Sequence, residues 1–121
     1  SARIRVAGNS FAMFPPLANQ PRALFFAVVG GNYRTLNQGE VHDVLELADR
    51  EGAKALAQEP QSIRVRLGLA RLYREARFLD MAFLDQARVL LDEAKELAPY
   101  RPQVLDLLKA QDRIEAEIEQ P

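Results

Sequence analysis

His42 is the only histidine of the chain. It stands four residues before Glu46, a spacing that places both on one face of a helix and could let them share a metal ion. Two ligands do not hold zinc, which takes four, and neither a third nearby nor an H-E-x-x-H pattern is present. The pair therefore reads as exposed helix surface, and we expect no metal. Nucleophilic chemistry has little to draw on. There is no cysteine, and no serine lies in a G-x-S-x-G turn. Ser10 reads as loop and Ser62 as a helix cap. The segment "VVGGNY" has neither the spacing nor the lysine of a phosphate-binding loop. The carboxylates alternate with Arg and Lys on polar faces, where nothing shifts a pKa toward catalysis. No catalytic residue and no cofactor are expected.

One cluster stands out. Arg64, Arg66, Arg71, Arg74 and Arg77 crowd one helical stretch, with only Glu75 opposing them locally. Arginine outnumbers lysine thirteen to three in the chain, so a general preference for arginine accounts for part of this. One reading is pairing with acids of the adjoining helix, such as Asp85, Asp92 or Glu93. The other is an anion-binding face, because the guanidinium fork matches carboxylate and phosphate. On that second reading Arg66, Arg74 and Arg77, beside Tyr73, form the expected ligand site.

The elements that would position these residues follow from periodicity. Three prolines and no helical period in residues 1–21 predict an extended arm or linker. From residue 22 onward the pattern is helical. Ala23, Phe26, Val29, Gly30 and Tyr33 form the first stripe. Asn37 with Glu40 makes a capping box ahead of Val41, Val44, Leu45, Ala48, Gly52, Ala55 and Leu56, which Pro60 closes. Val65, Leu69, Leu72, Tyr73 and Ala76 mark the third helix. Asp80 caps a fourth that carries Phe83, Ala87, Leu90, Leu91, Ala94 and Leu97, stopped by Pro99. Pro102 suits a first helical turn and opens a fifth helix with Val104, Leu107, Leu108, Ile114 and Ile118. No strand-rich stretch intervenes, so the fold class is all-α.

Helices two and four are one unit written twice. Ala48, Ala55 and Pro60 return 39 positions later as Ala87, Ala94 and Pro99. Small residues seven apart admit a neighbouring helix, and each proline ends its helix. With Phe26-Val29-Gly30-Tyr33 and Leu69-Ala70-Tyr73 ahead of them, these units resemble the tetratricopeptide repeat. Residues 22–60 match one unit, 61–99 a second, and 102–119 a capping helix, all within a domain of residues 22–121. The departures are Arg66 at the bulky first position, Gly52 at a usually large one, and connections longer than the 34-residue repeat allows. The resemblance implies about five helices stacked as hairpins in a right-handed superhelix. Tyr33, Tyr73, Ala48, Ala55, Ala87 and Ala94 would be buried at helix contacts.

A narrower likeness lies in "FFAVVGGNYRTLN", "LAQEP", "LARLY" and "AKELAPYRPQV". These phrases are similar to the soluble helical tail of bacterial O-antigen polymerase and ligase-like membrane proteins. That resemblance implies a non-catalytic scaffold on the extracytoplasmic, periplasmic side of a membrane, with the cytoplasm as the alternative. Its partners would be protein or peptide segments, including the membrane portion of the same chain. The family's catalytic residues belong to that membrane portion and none maps here. The competing readings are a stand-alone adaptor for an acidic peptide and a small helical enzyme.

Composition fits any of these. The chain has 121 residues, 48% hydrophobic and 27% charged, with net charge −1, which suits a folded domain and argues against nucleic acid as partner. The longest apolar run, residues 23–31, is far short of the roughly 20 residues a membrane span needs. No acid precedes Glu40, whereas Arg3, Arg5, Arg22 and Arg34 do, an asymmetry that suits an N-terminal end near anionic headgroups. A start without Met reads as a processed chain or a piece of a longer one.

Overall fold

The computed structural model describes residues 25–27 and 36–120. The extended arm over 1–21, Ala23, and Val29, Gly30 and Tyr33 of the first stripe lie outside them. What is described is all-α. Residues 25–27 are helical. Then follow α1 (Gln38–Gln58), α2 (Ile63–Glu75) with a 3-10 turn (Ala76–Phe78), α3 (Ala82–Leu97) and α4 (Pro102–Glu119).

The local signals work as chemistry requires. The Asn37 side chain accepts from the Glu40 amide at 2.8 Å, and the Glu40 carboxylate accepts from the Asn37 amide at 3.1 Å. These reciprocal bonds satisfy donors that the first turn of α1 leaves open. Ser62 Oγ accepts from the Val65 amide and starts α2. Asp80 Oδ1 accepts from the Ala82 amide at 2.9 Å, one residue ahead of the backbone cap at Met81. Pro102 occupies the first turn of α4.

Consecutive helices run antiparallel, as their paired residues show. Gly52 and Asp49 of α1 meet Leu69 and Tyr73 of α2. Arg66 and Tyr73 of α2 meet Glu93 and Phe83 of α3. Residues 98–101 turn the chain back, and Leu84 and Arg88 in the first half of α3 meet Gln111 and Glu115 in the second half of α4. The hairpin of α2 and α3 is the most extensive packing, and α2 also touches α1 and α4. Helices α1 and α4 do not meet, so the layers advance from one end to the other.

The central position of α2 explains its composition. Ile63, Val65, Leu67, Leu69, Ala70, Leu72 and Tyr73 are buried on several sides of it. Val41, Val44 and Ala48 reach it from α1, Ala87, Leu91 and Ala94 from α3, and Val104, Leu107 and Leu108 from α4. Of the small residues expected at helix contacts, Ala48, Ala87 and Ala94 are fully buried, while Ala55 is half-buried because it sits at the margin of the α1 face. Three stripe positions depart from expectation. Phe26 is 48% exposed and its neighbour Phe25 is fully buried, so the core-facing phenylalanine is one position earlier than the stripe implied. The stripes of α3 and α4 end early as well, with Leu97 and Ile118 exposed.

Candidate functional site

Two surfaces flank α2, and the arginines divide between them. A helix turns about 100° per residue, so Arg64 and Arg66 project to nearly opposite sides. Arg66 faces α3. Its Nε donates to Glu93 at 3.0 Å and its Nη1 to the Ser62 carbonyl at 3.1 Å, with only 12% of the side chain exposed. Arg77 donates to the Arg74 carbonyl at 2.8 Å and lies over the Phe78 ring at 4.4 Å. Arg74 is half-buried and engaged within the fold. Arg66 and Arg77 are eleven residues apart, about 16 Å along a helix. Arg66 therefore stands near one end of α2, and Tyr73, Arg74 and Arg77 near the other. Glu93, one of the acids anticipated as a partner, takes up Arg66.

Tyr73 belongs to a different feature. Its ring stacks on Phe83 with centroids 5.8 Å apart. Its hydroxyl donates to Asp49 of α1 at 3.0 Å. Burial, then the hydrogen bond to Asp49 and that carboxylate's charge, push the phenol pKa well above its usual value. Around this bond lies an open groove of about 330 Å³, with α1 and α3 as walls and α2 as floor. Ala48, Gly52 and Leu56 line one wall, Leu69 and Tyr73 the floor, and Val89 and Leu90 the other wall. Val89 is 55% exposed.

On the opposite face, between α2 and α4, lies a smaller hollow of about 210 Å³. It is lined by Ile63, Arg64, Leu67, Gly68 and Arg71 of α2, with Arg101 and Gln103 at the start of α4. The seven-residue step from Arg64 to Arg71, two full helical turns, is the sequence signal that could have selected this pair over Arg66 and Arg77. Arg101 could not have been added, since it joins only through the packing of α4 on α2.

His42 is exposed beside Asp43, with Nδ1 3.6 Å from the carboxylate. Among the described residues no group of three His, Asp or Glu is placed to hold a metal ion. Glu51 is buried, with Arg50 and Lys54 at 3.5 and 3.3 Å from its carboxylate. No described helix is long and apolar enough to cross a membrane. Comparison with protein-family models, curated proteins and solved structures gives no match.

Proposed function

We propose that this chain is a non-catalytic protein-interaction domain. In this reading, stacked TPR-like hairpins hold a segment of another protein, or of a longer chain of which this is part, in the apolar groove across α1, α2 and α3. The observation that carries the reading is that groove, open, walled by two helices and lined by Leu56, Leu69, Tyr73, Val89 and Leu90. Helices with apolar anchors at three- and four-residue steps are the natural occupants of such a groove. A peptide library displayed on phage and selected against the folded domain tests it. Enriched peptides should carry apolar anchors and lose binding to Val89→Glu, a change at an exposed position that leaves the melting temperature as in the parent. Selected peptides indifferent to Val89→Glu would defeat the groove as the binding surface.

The similarity of residues 25–37, 56–60, 69–73 and 94–104 to glycan-assembly tails extends the proposal. The domain would be the soluble part of a bacterial membrane protein of lipid-linked glycan polymerisation or ligation, on the extracytoplasmic side. What supports this is the set of quoted phrases. The complete reading frame decides it: several membrane spans ahead of this domain sustain the extension, and a short frame without them removes it.

A further inference from the structure

We propose that the groove across α1, α2 and α3 takes a cationic occupant: a helix of a partner protein that carries apolar anchors and, about two turns from them, a lysine or arginine that meets Asp49. The proposal rests on the interaction-domain reading and names the partner chemistry of that same groove.

The lining carries one charge. Asp49 is the only charged residue in the wall of the groove, which is otherwise apolar apart from Gln86 and the Tyr73 hydroxyl. That hydroxyl, on a buried ring stacked against Phe83, donates to one carboxylate oxygen of Asp49 at 3.0 Å. The bond fixes the carboxylate at the groove, and among the described residues no cation pairs with it. The neighbouring cations are taken: Arg50 and Lys54 face Glu51 at 3.5 and 3.3 Å, and Arg66 is bonded to Glu93. Glu46, three residues before Asp49 on α1, is exposed and adds to the negative potential at this end.

The carboxylate and the apolar lining sit at different ends. Asp49 meets Tyr73, Gly52 meets Leu69 a turn further along α1, and Leu56 lies a turn beyond that. From Asp49 to Leu56 is seven residues, about 10 Å along the helix axis. The groove therefore presents a carboxylate at one end and an apolar trough beside it, a distance that two turns of a bound helix span.

Covering the groove is what selects the occupant. A bound segment that closes over Asp49 strips water from its carboxylate. An apolar residue placed there leaves the charge with only the Tyr73 hydroxyl for a partner, which weakens binding. A lysine or arginine completes it, and the pair forms in a setting less screened than open solvent. The groove thereby disfavours acidic and wholly apolar helices as well as accepting basic ones. An acidic peptide, the ligand expected of the arginines on α2, is one that this groove repels.

The test is a phage library of four-turn helices, about 14 residues long, whose positions at three- and four-residue steps vary among Leu, Phe, Lys, Arg, Gln and Glu. It is selected in parallel on the 121-residue chain and on Asp49→Asn, Gln86→Lys and Val89→Glu. On the parent, peptides with apolar anchors and one Lys or Arg at a fixed offset are expected. Changing that residue to Gln in a selected peptide should weaken binding roughly five- to tenfold on the parent and hardly at all on Asp49→Asn, measured by fluorescence anisotropy. Gln86→Lys, at an exposed position of the facing wall, supplies a cation from the protein and should end the preference while leaving the Tyr73 bond in place. Where circular dichroism finds Asp49→Asn unfolded at the assay temperature, Gln86→Lys alone decides. Peptides that need Val89 yet carry no cation, or whose cation matters as much on these two variants as on the parent, would overturn this proposal and leave the interaction reading standing. Peptides indifferent to Val89→Glu, or no enrichment, would remove both. Self-association of the peptide-free chain that Val89→Glu abolishes would give the groove to a second copy. Nuclear Overhauser contacts from residues 1–21 to Val89 would give it to the chain's own N-terminal residues. Either outcome overturns the proposal.

Discussion

At the scale of single residues, Tyr73 carries two contacts that can be separated. The stack on Phe83 and the burial of its ring hold α2 to α3, while the hydroxyl reaches Asp49 and ties α1 to that hairpin. Tyr73→Phe keeps the ring and removes only the bond, so it should destabilise by about 1 kcal/mol. Asp49→Asn should cost a similar amount, and the double variant should cost less than the sum of the two. Chemical denaturation of all four proteins measures this, and strict additivity would mean that the hydroxyl and the carboxylate do not support one another. The sequence placed Tyr73 correctly in the core, since its stripe is strongly periodic. It could group Arg64 with Arg71 through their seven-residue step, but helical periodicity says which residues share a face and not which neighbour that face meets. Arg66 shares a side with Tyr73 and so meets Glu93 of α3, whereas Arg64 and Arg71 meet α4.

At the scale of elements, the 39-residue recurrence in the sequence singles out Gly52. Gly52 is the counterpart, 39 positions earlier, of Leu91, which is fully buried in α3. The two helices look alike in sequence but do not meet the same surroundings. A Cβ on Gly52 would lie 3.1 Å from both terminal methyls of Leu69, so α2 already fills the space a large residue would take. Gly52→Ala should be close to neutral, because the gain in helix propensity, about 1 kcal/mol, offsets a small displacement of Leu69. Gly52→Leu should destabilise by roughly 1–3 kcal/mol through overpacking. Thermal melts of both variants check the pair, and a Gly52→Leu protein as stable as its parent would remove the close approach of α1 to α2. Caps and prolines made the element ends legible, because Asn37, Ser62, Asp80 and Pro102 act through bonds and sterics within a few residues. The Phe25–Phe26 register was not legible. Two adjacent phenylalanines offer the same hydrophobicity, and the choice between them is made by tertiary packing.

At the scale of the molecule, an acid-sensitive clamp fastens α4 to the rest. Arg88 of α3 reaches Asp112 and Glu115 of α4, with Asp92 a further 3.8 Å away on its own helix. Gln111 beside them is buried and donates to the Leu84 carbonyl at 3.0 Å and to Glu115 at 2.9 Å. The bond from Arg88 lowers the Glu115 pKa more than burial raises it, and the bond from Gln111 lowers it further. A carboxylate whose folded pKa lies below its unfolded value stabilises the fold at every pH above that unfolded value, near 4.3. The contribution fades as pH falls through the folded value, since the folded state must then take up a proton at the cost of its partner. The melting temperature of the parent should therefore decline as pH is lowered from about 5 toward 3. Arg88→Gln should melt lower than the parent at pH 7. It should decline less steeply on acidification, because Glu115 then has little depression of its pKa left to lose. Circular dichroism melts of both proteins across that range measure the two slopes. Parallel curves, separated by the same interval at pH 7 and pH 3, would mean that Arg88 supports α4 through packing of its stem and not through its charge.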